Sequence, residues 1–228
     1  MQALISGILR KRWADISANV FGMADKLLYG RSKEMTGALR DDMYALWEKI
    51  GKSSKGEDKM KIRQAEARDW AAIYEVVRDA FSSAEHADGN EQDLVNALRK
   101  GEAFIPKLSL VAEENGKIIG HIMFTKAKVG TEGVLALAPL SVLPAYQRQG
   151  VGSALIRKGH EIAQRLGYNY VVVLGSEKYY PRFGYIEADT LGIKAPFDVP
   201  RENFMAYKIR DEAAAVHGVM EYAKEFGI

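Results

Sequence analysis

A glycine-rich run between a strand-like segment and a helix-like segment contains the residues best suited to hold an anion. The run is Leu140–Ser153, LSVLPAYQRQGVGS, in which Gln147, Gly150 and Gly152 have the spacing Q-x-x-G-x-G. A helix start leaves about four unpaired backbone N–H groups and the positive end of the helix dipole exposed. Glycines there let a phosphate approach the backbone, and Arg148 adds a cation. The pattern predicts an anion-binding junction.

This spacing alone does not identify the anion. No G-K-[ST] follows, so the run is not a Walker loop, and it lacks the G-x-G-x-x-G of dinucleotide-binding strands. Glycine-rich turns before helices also serve packing alone in many α/β proteins. A second block, Tyr179–Tyr185 with the sequence YYPRFGY, follows the apolar strand pattern of Tyr170–Leu174 and narrows the alternatives.

Together the two blocks resemble the GNAT superfamily of N-acetyltransferases. The Q-x-x-G-x-G junction is similar to the family's acetyl-CoA motif, and YYPRFGY is similar to its later tyrosine-and-glycine block. The resemblance extends over residues 60–209, and the phrases LSLVAEENGKIIGHIMF and VVVLGSEKYYPRFGY are closest to bacterial members. It implies an α/β fold around a mixed sheet, with acetyl-CoA as the co-substrate and no metal.

The resemblance also implies a role for the residues of the two blocks. The strand carrying Leu140–Leu143 is expected to splay from Tyr170–Leu174, so that pantetheine pairs with its exposed backbone. The backbone near Val142 and Leu143 then polarises the thioester carbonyl. Tyr180 corresponds to the general acid that protonates the departing thiolate. The implied cofactor-binding residues are Leu140, Ser141, Val142, Leu143, Gln147, Arg148, Gln149, Gly150, Val151, Gly152 and Ser153.

Some of these residues have a structural alternative that the sequence leaves open. Tyr180 lies among other aromatic residues and could serve packing, Tyr179 is more typical of a structural residue, and Ser153 most often caps a helix. No general base is identifiable, since Val134–Leu143 contains no carboxylate. His121, on the neighbouring strand, is more often a partly buried core residue than a base.

The sequence does not identify the acceptor. The resemblance implies a pocket lined by the segments Phe81–Asp93 and Thr190–Asn203, which carry side chains of both signs. An amine on a small molecule or on a protein is the expected acceptor class. The alternative function is a non-catalytic acyl-CoA sensor. The absence of a carboxylate from Val134–Leu143 favours this alternative.

Alternating strand and helix patterns surround these blocks and must position them. Helices are predicted at Ala67–Phe81, Glu91–Lys100 and Gly150–Leu166, with a short helix near Tyr179. The predicted strands are Lys61–Arg63, Leu108–Glu113, Lys117–Lys126, Val134–Leu143, Tyr170–Leu174, Tyr185–Glu187 and Phe204–Ile209. This order predicts one α/β domain around a mixed sheet.

The residues before this domain have a different pattern. Apolar residues recur at helical spacing within residues 1–50, whereas residues 51–59, GKSSKGEDK, include no apolar residue and are typical of a linker. We therefore predict a helical extension at 1–50, a linker at 51–59 and a GNAT domain at 60–228. The extension is a candidate lid or homodimer surface. Its mixed charges make a DNA-binding role the weaker alternative.

Bulk composition narrows the expected partners. The 228 residues have a formal charge of +2, which points to no nucleic-acid or membrane partner. The absence of cysteine excludes disulfides and cysteine-based zinc sites and suits a reducing cytosol. No apolar run is long enough to span a membrane, and residues 1–13 lack the order of a signal peptide. We expect a cytoplasmic protein.

Overall fold

The computed structural model describes residues 60–82 and 89–227. All of these residues belong to one compact unit, Asp58–Ile228. The predicted helical extension at 1–50 and the predicted linker at 51–59 lie outside the described residues, so both remain predictions.

Nine strands and three α-helices form the described part of the chain. The helices are α1 (Trp70–Phe81), α2 (Glu91–Leu98) and α3 (Val151–Arg165). The strands are β1 (Lys61–Gln64), β2 (Phe104–Glu114), β3 (Lys117–Val129), β4 (Glu132–Val142), β5 (Tyr170–Leu174), β6 (Ile186–Glu187), β7 (Ile193–Lys194), β8 (Phe204–Lys208) and β9 (Gly218–Glu221). Short 3-10 helices lie at Ala67–Asp69, Pro144–Tyr146, Tyr180–Phe183, Ala188–Leu191, Arg201–Asn203 and Lys224–Phe226.

The strands form a mixed sheet with the order β1-β2-β3-β4-β5-β8-β6, while β9 pairs with β3 and with β7. Neighbours along the main path are antiparallel except β4 and β5, which are parallel. Parallel neighbours need a crossover connection, and α3 provides it between these two strands. The predicted mixed α/β fold is therefore confirmed.

The helices cover opposite faces of the sheet. Helices α1 and α2 pack with Val111 and Met123, whereas α3 packs with Leu110, Ile122 and Phe124. Because successive side chains of a strand point to opposite faces, these consecutive apolar residues fill both layers. This burial fixes β3 and β4 at the centre of the sheet, where β4 leads into α3.

Strand β4 contains a bulge that the sequence analysis did not predict. Ile122 pairs with Leu140 and Phe124 pairs with Leu137, so two residues of β4 lie opposite a single residue of β3. One of the two is Pro139, which has no N–H to donate to the ladder, and a bulge accommodates such a residue. The bulge separates the part of β4 that pairs with β5 from the end that leads into α3.

Several element bounds differ from those predicted. Strand β2 begins at Phe104 rather than Leu108, although Pro106 lies within it, and β3 extends to Val129 rather than Lys126. Strands β7 and β9 were not predicted. They have two and four residues, too few for a reliable alternating pattern.

Candidate functional site

Strands β4 and β5 separate soon after they meet. Their register pairs are Leu135–Val171 and Ala136–Val172, after which β4 continues to Val142 along β3. Within residues 60–82 and 89–227, no strand pairs with the other edge of β4 beyond this point. Such an edge presents backbone donors and acceptors to an extended ligand. The expected splay is present, and we call the space beside it the β4–β5 gap.

The amide of Val142 faces this gap. The neighbouring amide, that of Leu143, donates to the carbonyl of Ile119 on β3 at 3.0 Å. Residues of an antiparallel strand face the partner alternately, so the N–H of Val142 points away from β3. The Leu143 N–H is therefore not a free donor. Ser141, two residues before Leu143, likewise turns its backbone N–H towards β3, and it is 1% exposed.

The loop between β4 and α3 is shaped by its own glutamines. The side-chain amide of Gln147 donates to the Val142 carbonyl at 3.1 Å, and that of Gln149 donates to the Ala145 carbonyl at 2.8 Å. Between them Arg148 has a φ of 60°, in the left-handed region. Both glutamines thus hold the loop. Their predicted contacts with the cofactor stay predictions.

Helix α3 begins with an open N-terminus. Its N-cap, Gly150, has a φ of 86° and makes no side-chain cap bond. The helix's first α-type hydrogen bond runs from Ala154 N–H to the Gly150 carbonyl at 2.9 Å, which leaves the amides of residues 151–153 without a helical acceptor. A Cβ on Gly150 would meet nothing within 4 Å. Open amides at the positive end of a helix suit an anion.

Tyr179 lies at the same helix start, a position that the sequence did not predict. A Cβ on Gly152 would lie 2.6 Å from the Tyr179 hydroxyl oxygen, and this hydroxyl interacts with the Ser153 side chain. The guanidinium carbon of Arg182 lies 4.5 Å from the centroid of the Tyr179 ring. The alternative in which Ser153 caps the helix is wrong, since Gly150 is the N-cap.

Tyr180 follows β5, the strand on the opposite side of the gap. Its ring is 9% exposed and lies against Gly175, where a Cβ would be 2.4 Å from the ring. The rings of Tyr179 and Tyr185 are 5.3 and 5.4 Å away between centroids. Tyr180 is therefore packed on three sides, as expected if its ring serves packing.

The hydroxyl of Tyr180 remains free despite that packing. Among the described residues it has no hydrogen-bond partner, and it is not one of their fully enclosed unpaired polar atoms. Burial raises the pKa of Tyr180, with a smaller contribution from Tyr179. The phenol therefore keeps its proton at neutral pH. An accessible and uncommitted O–H meets the positional requirement of a general acid.

Neither His121 nor a carboxylate of β4 reaches the gap as a base. His121 is 0% exposed, its Nε2 is 3.1 Å from the Ser109 hydroxyl, and burial lowers its pKa to about 3. Glu132, the first residue of β4, lies at the end of the strand away from α3 and accepts a bond from the Asn169 amide at 3.2 Å. The interpretation of His121 as a core residue fits, although it is wholly rather than partly buried.

A cleft of about 990 Å³ adjoins the end of β4. It is lined by one side of α1, by the turn between β2 and β3 and by residues 143–146. In its wall the guanidinium of Arg63 binds Asp69 at 2.9 Å and Glu113 at 2.6 Å. The guanidinium beside Asp69 lowers the pKa of that carboxyl. This partly buried ion group fixes the start of α1 against β1 and β2.

The segments predicted to line the acceptor pocket are only partly described. Residues 83–88 of the first segment lie outside the described residues. In the second segment Arg201 binds Asp189 at 2.6 Å and Glu187 at 3.0 Å, so its charge is already neutralised. Within the described ranges no group of three or more His, Asp or Glu side chains could hold a metal ion. No helix of that part is long and apolar enough to cross a membrane.

Comparison with known proteins identifies the family of this chain. A sequence profile described as the acetyltransferase (GNAT) family matches residues 70–185. The chain belongs to the GNAT acetyltransferase family. The matched part runs from the start of α1 to Tyr185 and so includes both edges of the β4–β5 gap, the open start of α3 and Tyr180.

Relatives of this GNAT protein include two Escherichia coli proteins described as uncharacterised N-acetyltransferases. YjhQ of strain K12 is 41% identical over 140 residues, which are 59% of this chain and 75% of YjhQ. YhbS of the same strain is 28% identical over 170 residues, 73% of this chain and 98% of YhbS.

Two solved GNAT structures are similar to this chain. The crystal structure of E. coli YhbS in complex with CoA has a TM-score of 0.67 at 29% identity and covers 74% of this chain and 92% of YhbS. A Brucella melitensis GNAT acetyltransferase in complex with acetyl-CoA has a TM-score of 0.62 at 33% identity, over 74% of this chain and 99% of that protein.

Proposed function

We propose that this chain transfers the acetyl group of acetyl-CoA to an amine by direct attack in a ternary complex. The observation that carries the proposal is the open edge of β4, which leads directly into the uncapped start of α3. An extended thioester arm with a phosphate group at one end fits that succession. The two solved relatives that hold CoA and acetyl-CoA support the same ligand.

The proposed cofactor site has three parts. The pantetheine arm pairs with the open edge of Leu140–Leu143 in the β4–β5 gap, where Leu140 and Val142 face away from β3. The diphosphate binds the amides of Val151, Gly152 and Ser153, where Gly150 leaves the approach open. Arg148 adds a positive charge, while Gln147 and Gln149 hold the loop in shape.

The proposed reaction needs one donor on each side of the thioester. The amine nitrogen attacks the carbonyl carbon while the Val142 N–H stabilises the developing oxyanion. The C–S bond then breaks, and the departing thiolate takes the proton of the Tyr180 hydroxyl. The phenolate regains a proton from solvent. The amine loses its proton to water, because the described residues place no carboxylate along the open part of β4.

Replacement of Tyr180 by phenylalanine tests this assignment. We expect Tyr180→Phe to lower kcat about 10²- to 10⁴-fold, because only the hydroxyl proton is lost while the ring is retained. Thiol release from acetyl-CoA across a panel of small amines and peptide amines measures the rate. Calorimetry should give an unchanged acetyl-CoA affinity. Wild-type turnover by the variant would exclude Tyr180 as the acid.

A second candidate function is a non-catalytic acyl-CoA sensor. The observation that favours it is the absence of a carboxylate along the open part of β4, together with the burial of His121. A sensor would show a higher melting temperature with acetyl-CoA but no thiol release with any amine of the panel. Any turnover that depends on Tyr180 would instead support the enzyme.

A further inference from the structure

Behind Tyr180, a cluster of aromatic side chains connects this residue to helix α3. His160 of α3 lies with its Nε2 2.9 Å from the Tyr185 hydroxyl oxygen. The imidazole also stacks on the ring of Tyr207, with centroids 4.3 Å apart and an interplanar angle of 17°. The edge of Phe124 closes another side at 6.4 Å. The imidazole is therefore fixed by both a hydrogen bond and ring packing.

Tyr185 is the residue through which His160 contacts Tyr180. It is 1% exposed, and its ring meets that of Tyr180 in an edge-on contact at 5.4 Å between centroids. The Tyr180 ring also lies against Gly175, which has no room for a Cβ. A rotation or tilt of the Tyr185 ring would leave Tyr180 without its support. The direction of the free Tyr180 hydroxyl therefore depends on how firmly Tyr185 is held.

The hydrogen bond between His160 and Tyr185 joins two neutral groups. Burial lowers the pKa of His160 to about 4. Burial also raises the pKa of Tyr185 well above its ordinary value, with smaller contributions from Tyr180 and Tyr207. Neither group changes its charge near neutral pH. The contact therefore holds a position and does not move a proton.

We propose that His160 is a positioning residue, which through its hydrogen bond to Tyr185 directs the Tyr180 hydroxyl into the β4–β5 gap. The proposal rests on the proposed function, in which Tyr180 is the acid. In this proposal α3 has a second role in addition to its open N-terminus. Its first residues provide the amides that bind the phosphates, and ten residues later His160 aligns the proton donor.

Three variants and a matched control test the proposal by thiol release. Tyr185→Phe and His160→Leu break the hydrogen bond, and kcat should fall about 10- to 100-fold while KM for acetyl-CoA stays unchanged, because the donor is misplaced. His160→Gln keeps a side-chain hydrogen-bonding group and should retain more activity than His160→Leu. Tyr207→Phe removes a hydroxyl from the same cluster and keeps the ring, so its kcat should match the wild type.

A double variant separates positioning from loss of fold. If Tyr185 acts through the Tyr180 hydroxyl, then Tyr185→Phe should cost nothing further in a Tyr180→Phe background, because the effects of residues that act as a unit are not additive. Losses that multiply, or an equal loss in Tyr207→Phe, would overturn the proposal. If Tyr180→Phe alone keeps wild-type turnover, the proposed acid fails instead, and that result is distinguishable from a failure of Tyr185→Phe alone.

Discussion

At the scale of single residues, Tyr180 combines two roles that the sequence presented as alternatives. Its ring is packed among Gly175, Tyr179 and Tyr185, whereas its hydroxyl has no partner within the described part of the chain. Packing and acid catalysis are therefore compatible, because each uses a different part of the side chain. The YYPRFGY block predicted which tyrosine to consider, but only tertiary contacts reveal that its proton is uncommitted.

Gln147 and Gln149 illustrate what a motif leaves unspecified. The spacing Q-x-x-G-x-G predicted the position of the loop correctly. This spacing is compatible with glutamine side chains that contact the ligand and with glutamine side chains that hold the loop. In the structure both side-chain amides donate to backbone carbonyls. Which of the two roles applies depends on backbone positions several residues away, which local spacing does not encode.

Gly152 lies so close to the Tyr179 side chain that a larger residue would displace it. A Cβ there would lie 2.6 Å from the Tyr179 hydroxyl oxygen, so Gly152→Ala should push Tyr179 from the helix start and cost about 1–3 kcal/mol of unfolding free energy. Acetyl-CoA affinity should fall as well. Urea unfolding and calorimetry measure the two effects.

The partner variant identifies the cause of that loss. Tyr179→Phe removes the obstructing oxygen, so Gly152→Ala should cost less in that background. Gly133→Ala is the control, because a Cβ at Gly133 meets nothing within 4 Å. An equal loss in the presence and absence of the Tyr179 hydroxyl would contradict the steric explanation.

At the scale of elements, long periodic segments were predictable and short or irregular ones were not. The 15 residues of α3 and the buried strand β5 follow from helical spacing and from a run of β-branched residues. The bulge at Pro139 and the short strands β7 and β9 depend on pairing with distant residues. Their sequences contain too few positions to distinguish them from loops, and tertiary pairing decides their structure.

The glycine before the start of α3 has a matched control in the glycine that follows the end of this helix. Gly150 has a φ of 86° and Gly167 a φ of 87°, and a Cβ at either meets nothing within 4 Å. Glutamate at each site therefore carries similar backbone strain. Only Gly150→Glu places a carboxylate beside the open amides, where it would repel a diphosphate.

We expect acetyl-CoA to raise the melting temperature of the wild type and of Gly167→Glu, but not of Gly150→Glu. Differential scanning fluorimetry over a range of acetyl-CoA concentrations measures the shift. A full shift in Gly150→Glu would show that the phosphates bind elsewhere.

At the scale of the whole molecule, the buried His121 and the partly buried His160 make stability depend on pH. Burial lowers the pKa of His121 to about 3 and that of His160 to about 4, from an ordinary 6.5. Below pH 6.5 the unfolded chain binds a proton at each imidazole that the folded chain does not bind. Stability is therefore lost as pH falls from about 6.5 towards 4, at up to about 1.4 kcal/mol per pH unit for each histidine.

Urea unfolding between pH 7.5 and 4.5 measures this slope. His160→Gln should make it shallower, because the variant has no imidazole to bind a proton on unfolding. Asp69, whose pKa is lowered by Arg63, loses its contribution at lower pH than this window. A slope that His160→Gln leaves unchanged would contradict the assignment to His160.

Residues 1–50 precede the family match at 70–185. Their apolar residues recur at helical spacing, and such a stripe must be buried against another surface. We propose that this surface is a second copy of the chain. Analytical ultracentrifugation should then give a dimer for residues 1–228 and a monomer for a chain that begins at Gly51. Because each proposed site lies within one GNAT domain, thiol release per protomer should be equal in the two proteins. An unchanged oligomeric state after the deletion would assign the stripe to contacts within the chain.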